Sequence, residues 1–358
     1  DVDKRQVIAA MLAQPAAARV EKATVHGAAI EGNLEGNSPD RTVYVVLPAG
    51  YDARANRKRR WPVLYFLHGF TATAVIGDLI PDTRVAASDP LPVARVKGDL
   101  RMVALVRQAV RDRQRALREP LVVPFGVQRL RLSVEESRRI VADVRSRVRS
   151  HNAGRRMVEE RVFGLLAERS RQPIAPEDLR DRIRRMEEVR YALEWMWPVL
   201  SASELLNDLY SSRALIASAA AGRLSDDEID LLISPHHDDA SERVWAFADA
   251  PVLDEALVRL GARPGRRESD VIRTYGHILV DEAQDLSPME LRTLRRRSLG
   301  GSMTVVGDIA QATSPWAHDD WDEVLEALPQ RRPARRVELR TGYRLPGPIM
   351  ELAAQLLP

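Results

Sequence analysis

The sequence predicts an α/β fold in which a long helical region separates two β-rich segments. Residues 20–74 alternate short apolar runs of β type with clusters of turn residues. Residues 93–260 carry the spacing of amphipathic helices and are rich in Arg and Glu. Residues 271–358 return to short apolar strands that are each followed by a helix signal. We therefore expect a parallel sheet in this last segment, a separate helical arm or bundle, and a small β-rich N-terminal segment.

The composition is typical of a globular protein and excludes several kinds of chemistry. Of the 358 residues, 45% are hydrophobic and 29% are charged. The chain has no cysteine, which excludes disulfides, thiolate metal sites and thiol nucleophiles and fits the cytoplasm, where we expect the protein. No uncharged apolar run approaches the ~18 residues of a membrane span. The net charge of +3 supports nucleic-acid binding only weakly, although all but four of the 54 basic residues are arginines.

Local signals in the helical region mark where individual helices begin. Ser133 with Glu136, and Ser225 with Glu228, have the spacing of a capping box. Pro176 is followed by two acidic residues, which is typical of a first helical turn. We interpret the arginines of these helices as the solvated faces of a bundle, and we keep a nucleic-acid surface as the less favoured alternative.

A pair of acidic residues follows a short apolar strand near the C-terminus. Residues 277–286 read HILVDEAQDL, and Ser287 then opens the next helix. At the edge of a parallel sheet, Asp281 can hold Mg²⁺, directly or through water. Glu282 beside it can orient and deprotonate an attacking water. The pattern is therefore typical of a nucleotide hydrolase.

A second strand ends in a comparable turn a short distance along the chain. Residues 304–311 read TVVGDIAQ, so that an apolar strand delivers Asp308 after a Gly-Asp turn. Because the carboxyl ends of parallel strands meet at one sheet edge, we expect Asp308 to lie beside Asp281. Asp308 then supports the Mg²⁺ shell or the turn itself.

These two strings, together with VELRTGYR at residues 337–344, resemble motifs II, III and IV of superfamily 1 helicases of the UvrD/Rep type. The resemblance implies a partial RecA-like P-loop NTPase motor domain, with ATP and Mg²⁺ as cofactors and single-stranded DNA as a partner. It divides the chain into the helical insertion of the first motor domain at 76–270, the core of that domain at 271–336, and the start of the second motor domain at 337–358.

The same resemblance assigns roles to individual residues. Gln284 would connect the site to its neighbours, and Gln311 would sense the γ-phosphate. Arg344 would reach across the cleft between motor domains to the γ-phosphate. Trp316 falls where the family stacks an aromatic ring on DNA bases, although a core position is an equally open interpretation. The expected catalytic set is Glu282, Gln284, Gln311 and Arg344, and the expected nucleotide-binding set replaces Gln284 with Asp281.

The sequence departs from this family in two places. It contains no Gly-x-x-x-x-Gly-Lys-[Ser/Thr] string, the loop whose backbone N–H groups and lysine cradle phosphates. Lys97 is the only lysine that precedes a glycine. Gly342 stands where the family usually has Asn, so the local turn can differ. We therefore expect weak ATPase activity or none from this chain alone.

A narrower resemblance concerns the helical region. The strings GDLIP at 77–81, VKGDL at 96–100 and RDRQR at 111–115 resemble the insertion of HelD-type (helicase IV-like) proteins. That resemblance implies a motor that binds RNA polymerase and helps to dislodge it from stalled states.

The N-terminal segment, residues 1–75, resembles a different family. The strings HGAAIEGNLEG at 26–36, VVLPAGY at 45–51 and WPVLYFLHG at 61–69 are similar to the start of an esterase D/antigen 85-like α/β-hydrolase. His68 would belong to its oxyanion loop. No Gly-x-Ser-x-Gly elbow occurs in the sequence, so the nucleophile of that family is missing.

Three functional hypotheses follow. The first is an ATP-dependent helicase or translocase motor, of which the chain carries a part. The second is an ester hydrolase, which only the N-terminal segment supports. The third is a non-enzymatic helical interaction module. A fused or chimeric gene explains the meeting of two unrelated families near residue 75 better than a genuine two-function enzyme does.

Overall fold

The computed structural model describes the chain in separate stretches. They are residues 19–26, 40–47, 64–66, 84–87, 89–265, 272–312, 314–316, 318, 320–328 and 333–338. The backbone contacts divide the chain into two compact units, residues 1–63 and 64–358. The architecture combines many helices with small sheets, which agrees with the expected α/β class.

In the first unit, the described residues form a β-hairpin. Strand β1 (Arg19–His26) pairs antiparallel with β2 (Asp40–Leu47), in a register that runs from Arg19 opposite Leu47 to His26 opposite Asp40. The expectation of a small β-rich element in this segment is therefore confirmed.

A first helical lobe forms much of the second unit. Its helices are α1 (Leu91–Lys97), α2 (Arg101–Asp112), α7 (Ala202–Tyr210), α8 (Arg213–Ala220), α9 (Asp226–Leu232) and α10 (Ala250–Leu260). Strands β4 (Arg84–Ala87) and β7 (Val244–Ala246) pair in parallel beside them. Fully buried side chains such as Met102, Tyr210 and Trp245 fill its core.

A second helical lobe has its own core. It contains the antiparallel strands β5 (Leu121–Phe125) and β6 (Gln128–Leu132) and the helices α3 (Val134–Arg147), α4 (His151–Glu168), α5 (Pro176–Ile183) and α6 (Glu187–Met196). Phe163, Leu166 and Trp197 are buried in its centre. The helical region is thus two packed lobes, each with a separate set of buried apolar side chains.

The β5–β6 hairpin is a departure from the mostly helical prediction for residues 93–260. Leu121 and Val123 are buried and Val122 between them is exposed, which is the period-two pattern of a half-buried strand. Gly126 takes a φ of +59° at the turn, a conformation that glycine adopts without steric cost. The alternation is present in the sequence, but the helical patterns on both sides conceal it.

The predicted helix starts are confirmed. Ser133 with Glu136, and Ser225 with Glu228, form complete capping boxes, and Pro176 occupies the first turn of α5. Two further boxes begin α7 and α11 (Pro288–Arg297), at Ser201 with Glu204 and at Ser287 with Glu290. Each box satisfies N–H groups at the helix end that have no partner within the helix.

A three-stranded parallel sheet carries the acidic motifs. Strand β8 (His277–Val280) lies between β3 (Leu64–Phe66) and β9 (Met303–Val305). Val280 lies opposite Val305, so the prediction that the two motif strands are parallel neighbours is confirmed. Strand β3 comes from the stretch that the sequence assigned to the hydrolase-like segment, and here it completes the sheet of the acidic motifs. Helices α11 and α12 (Trp321–Ala327) supply apolar side chains to the same core.

A buried ionic cluster joins the first helical lobe to this sheet region. Asp254 and Glu255 of α10 are fully buried and face α11. Arg292 Nε lies 2.9 Å from Glu255, Arg296 contacts both carboxylates, and Arg297 contacts Asp254. Burial alone would raise the pKa of Glu255, but the hydrogen bonds and charges of Arg292 and Arg296 outweigh it and lower that pKa. The cluster therefore joins α10 and α11 through several side-chain ion pairs.

None of the helices in the described stretches combines the length and the apolar character that crossing a membrane requires.

Candidate functional site

The acidic pair lies directly after β8 in a constrained turn. Strand β8 ends at Val280, and Asp281 and Glu282 follow it. Glu282 takes a φ of +52°, in the left-handed region that a residue with a Cβ rarely occupies. The Asp281 Oδ1 accepts the N–H of Glu282 at 3.0 Å, which supports this turn. Backbone strain of this kind is found often at functional sites.

The buried amide of Gln284 connects this turn to the next strand. Its Nε2 donates to the Glu282 Oε2 at 2.7 Å, and its Oε1 accepts the backbone N–H of Asp308 at 3.0 Å. Gln284 is only 1% exposed, whereas Glu282 and Asp308 are exposed residues, so a buried amide holds two groups that reach the surface. One side chain therefore positions the carboxylate after β8 relative to the backbone after β9.

Gly307 makes this close approach possible. A Cβ at this position would lie well inside van der Waals contact with the Gln284 Oε1 and 3.0 Å from the Ala283 nitrogen. The neighbouring Val306 accepts the Ala283 N–H at 3.1 Å, so the two turns are bonded through their backbones as well. The glycine of the Gly-Asp turn is therefore required because a larger residue would collide with Gln284. The sequence alone does not show this contact.

Asp308 and Gln311 form the other side of the site. The Asp308 carboxylate accepts the Ala310 N–H at 3.1 Å and the Gln311 Nε2 at 2.7 Å, and it caps the short 3₁₀ helix Ile309–Gln311. The structure therefore joins five of the predicted site residues in one hydrogen-bonded network: Asp281, Glu282, Gln284, Asp308 and Gln311.

Trp316 packs against the helical region. Asp285 Oδ1 accepts the Ser314 N–H at 2.9 Å, which holds the tail after the second motif. A Cβ at Gly98, between α1 and α2, would lie 2.7 Å from the Trp316 Cε2. The indole edge of the half-buried Trp316 is thus occupied by an intramolecular contact, as the core interpretation requires. Stacking of this ring on DNA bases stays a prediction.

Lys97 is engaged in a buried ion-pair cluster. Its Nζ lies 2.9 Å from Asp89, 2.7 Å from Asp249 and 5.6 Å from the centre of the Tyr210 ring. Burial raises the pKa of Asp249, and the charge of Lys97 opposes that increase. Lys97 is next to a glycine, as is the lysine of a phosphate loop. In the folded chain its charge is engaged by carboxylates of the protein and not left for a phosphate.

The carboxylates of the network suit a magnesium ion. Mg²⁺ prefers oxygen ligands and commonly uses one or two carboxylates and several waters. One oxygen of the Asp281 carboxylate accepts the Glu282 N–H, and the second oxygen has no partner in the described stretches. Those stretches contain no group of three or more His, Cys, Asp or Glu side chains that could hold a metal ion. The donor set therefore fits a hydrated Mg²⁺ on Asp281 and not an all-protein cage.

Three of the residues named from the sequence lie outside the described residues: Gly342, Arg344 and His68. No protein-family model matches the chain, and no curated protein matches it. The function must therefore be inferred from the motifs and from the geometry of the network.

Proposed function

We propose that residues 277–316 form the hydrolysis half of an ATP site in a RecA-like motor of superfamily 1 helicase type. The observation that carries this proposal is the bridge that Gln284 makes from the Glu282 carboxylate to the Asp308 N–H. This bridge aligns the ends of two neighbouring parallel strands, the place where α/β proteins bind nucleotides.

Each residue of the network has a role in this proposal. Asp281 would hold Mg²⁺, which neutralises phosphate charge when bound, and Asp308 would support it. Glu282, held by Gln284, would orient the attacking water and take its proton. Gln311 would sense the γ-phosphate from the other strand. Hydrogen bonds that hold these groups in place before substrate binds reduce the reorganisation needed during reaction.

Phosphate binding is the part of the site for which the sequence supplies the fewest groups. The sequence has no phosphate-cradling loop, and Lys97 is paired with Asp89 and Asp249. We therefore propose weak nucleotide binding and little or no turnover by this chain alone. Arg344 would complete the site from the second motor domain. Single-stranded DNA is the proposed partner of the motor, and RNA polymerase is the proposed partner of the helical region.

Titration with a fluorescent ATP analogue tests the site. We expect Mg²⁺-dependent binding by the wild type and its loss in Asp281→Asn, which preserves the shape of the side chain but removes its charge. Asp238→Asn is the matched control, because Asp238 is a fully exposed carboxylate of the first helical lobe. Equal binding by the wild type and Asp281→Asn would contradict the proposal, as would the absence of Mg²⁺-dependent binding by the wild type.

The two other hypotheses stay predictions with their own measurements. Hydrolysis of p-nitrophenyl acetate above background would support the esterase interpretation, and we expect none. Capture of purified RNA polymerase by the full chain would support a role for the helical region. Retention of that capture by Asp281→Asn would show that the helical region binds without the nucleotide site.

A further inference from the structure

A basic and aromatic pocket lies in the helical region, away from the acidic motifs. It has a volume of about 240 Å³ and lies between the connector after α2 and the C-terminal end of α6. Its lining residues are Arg113, Arg115, Tyr191, Glu194, Trp195 and Pro198. This volume is below the ~300 Å³ of small drug-type sites, so the pocket suits one group of a longer ligand.

Two guanidinium groups stack on one tryptophan beside this pocket. The guanidinium carbons of Arg115 and Arg118 lie 4.8 Å and 4.3 Å from the centre of the Trp195 ring. Trp195 Nε1 donates to the Ala116 carbonyl oxygen at 2.9 Å, which fixes the ring. A guanidinium that stacks on an aromatic face still has N–H donors along its edge, and these can bind a planar or tetrahedral anion. The ring therefore organises two arginines for phosphate recognition.

The other charges around the pocket are already paired. Arg113 donates to Asp208 at 2.9 Å, and Glu194 lies 2.9 Å from Arg155. Each of these two lining groups therefore has a partner of opposite charge. The two stacked arginines are the cations beside the pocket that such a pair does not engage.

Arg115 and Arg118 have no carboxylate partner among the described residues. The Arg115 Nε donates to the carbonyl oxygen of Asp112 at 2.6 Å, which is a neutral acceptor. Burial lowers the pKa of Arg115, the charges of Arg113 and Arg118 lower it further, and the Asp112 carboxylate only partly opposes them. An anion placed here would relieve this crowding of positive charge. The pocket thus favours a negatively charged ligand.

Tyr191 adds a flat apolar surface at the mouth of the pocket. It precedes Trp195 by four residues on α6, so both side chains lie on one helix face. The Tyr191 residue is 68% exposed, an unusual position for a large aromatic ring. An exposed ring beside unpaired arginines is the combination that binds a nucleobase and the phosphate attached to it.

We propose that Arg115, Arg118, Tyr191 and Trp195 form a binding site for single-stranded nucleic acid on the second helical lobe. The arginines bind a phosphodiester group, and Tyr191 stacks on an adjacent base. The site goes beyond the proposed ATPase half-site, because it shares no residue with the acidic network and binds without ATP.

Fluorescence anisotropy of a labelled oligo-deoxythymidine, without nucleotide, tests this site. We expect Arg115→Gln/Arg118→Gln to weaken binding at least about tenfold. The plot of log affinity against log salt should become shallower by about 1.4, as the loss of two phosphate contacts to a single strand predicts. Tyr191→Ala should weaken binding about tenfold, and Tyr191→Phe, which keeps the ring, should bind like the wild type.

Matched variants distinguish this site from general basicity and from the ATP site. Arg156→Gln removes an 89% exposed arginine of the same lobe and should leave binding unchanged. Arg118→Gln should bind the ATP analogue like the wild type, because Arg118 has no place in the acidic network. Arg118 and Tyr191 are exposed, so their single variants remain informative if the Arg115 change affects folding.

Several results would overturn the proposal. One is that the wild type does not bind the oligonucleotide. Another is that Arg156→Gln weakens binding as much as Arg115→Gln/Arg118→Gln does. A third is that the double variant has the same salt slope as the wild type. Tighter binding of duplex than of single strand would also overturn it, because duplex bases cannot stack on Tyr191. Equal affinity for polyglutamate would identify an acidic protein segment as the ligand instead.

Discussion

Gln284 and Glu282 form a hydrogen bond of 2.7 Å between a buried amide and an exposed carboxylate just after strand β8. The opposite end of the same amide accepts the N–H of Asp308, so its orientation is determined by both partners. Such a side chain cannot rotate without leaving a donor or an acceptor unsatisfied. The position of the Glu282 carboxylate is therefore coupled to the turn after β9.

Replacing Gln284 with leucine should destabilise the protein. The change preserves volume but removes the acceptor of the partly buried Asp308 N–H and the donor to the exposed Glu282 carboxylate, which should cost about 0.5–1.5 kcal/mol for each bond. Urea unfolding followed by circular dichroism measures the difference. Gln311→Leu is the control, because Gln311 is exposed and should change stability by no more than about 0.5 kcal/mol. Equal effects of the two variants would contradict a special role for the Gln284 bridge.

Adding a methyl group at Gly307 should disturb the same bridge. The Cβ of Gly307→Ala would overlap the Gln284 Oε1 and approach backbone, so we expect a loss of about 1–3 kcal/mol. Gly300→Ala is the matched control, since a Cβ there meets no atom within 4 Å. The control should be neutral or slightly stabilising. A thermal midpoint for Gly307→Ala equal to that of Gly300→Ala would show that the turn has room to move.

The ionic cluster between α10 and α11 predicts a large cost for removing one buried charge. Arg297 is buried and contacts Asp254, so Arg297→Met leaves a buried carboxylate with less compensation and should cost about 3–5 kcal/mol. Arg156→Met removes an exposed arginine that pairs with Glu160 and should cost at most about 0.5 kcal/mol. Chemical unfolding of both variants at low and high salt checks this prediction. A cost for Arg297→Met as small as that of the control would show that the cluster is not needed.

His151 predicts a dependence of stability on pH. Burial lowers the pKa of His151 from 6.5 to about 4, although its hydrogen bond to the Pro198 carbonyl oxygen opposes this. Between these two values the unfolded chain binds a proton that the folded chain does not. The contribution of His151 to stability is therefore complete above pH 6.5 and falls by roughly 3 kcal/mol as the pH approaches 4.

Comparison with His151→Gln isolates this contribution from the other titrating groups. The difference in unfolding free energy between wild type and variant should shrink steadily from pH 7 to pH 4, because glutamine does not titrate in this range. His236→Gln serves as the control, since the His236 side chain is 46% exposed. A difference that stays constant across this pH range would refute the buried neutral imidazole.

Features that depend on neighbouring residues were predictable from the sequence. The capping boxes at Ser133 and Ser225 need only a serine and a glutamate three residues apart, and both formed. The parallel pairing of β8 and β9 also followed from two short apolar runs, each of which ends in an acidic turn. The β5–β6 hairpin was overlooked, although its alternating pattern is local, because helical periodicity surrounds it.

Contacts between distant residues required the three-dimensional structure. Gln284 and Asp308 lie 24 residues apart, and no property of either residue alone specifies the bridge between them. Trp316 reaches Gly98, and Lys97 binds Asp249, through packing that brings remote segments together. The same is true of the arginines that stack on Trp195.

Local patterns therefore predicted the helix starts and the two acidic strand ends. The partners of each charged or aromatic side chain depend on how those elements pack, because burial and the distances between remote segments arise only in the folded chain. The acidic network and the arginine–tryptophan pocket both belong to this second class, and they are the two places where the chemistry of this protein can be tested.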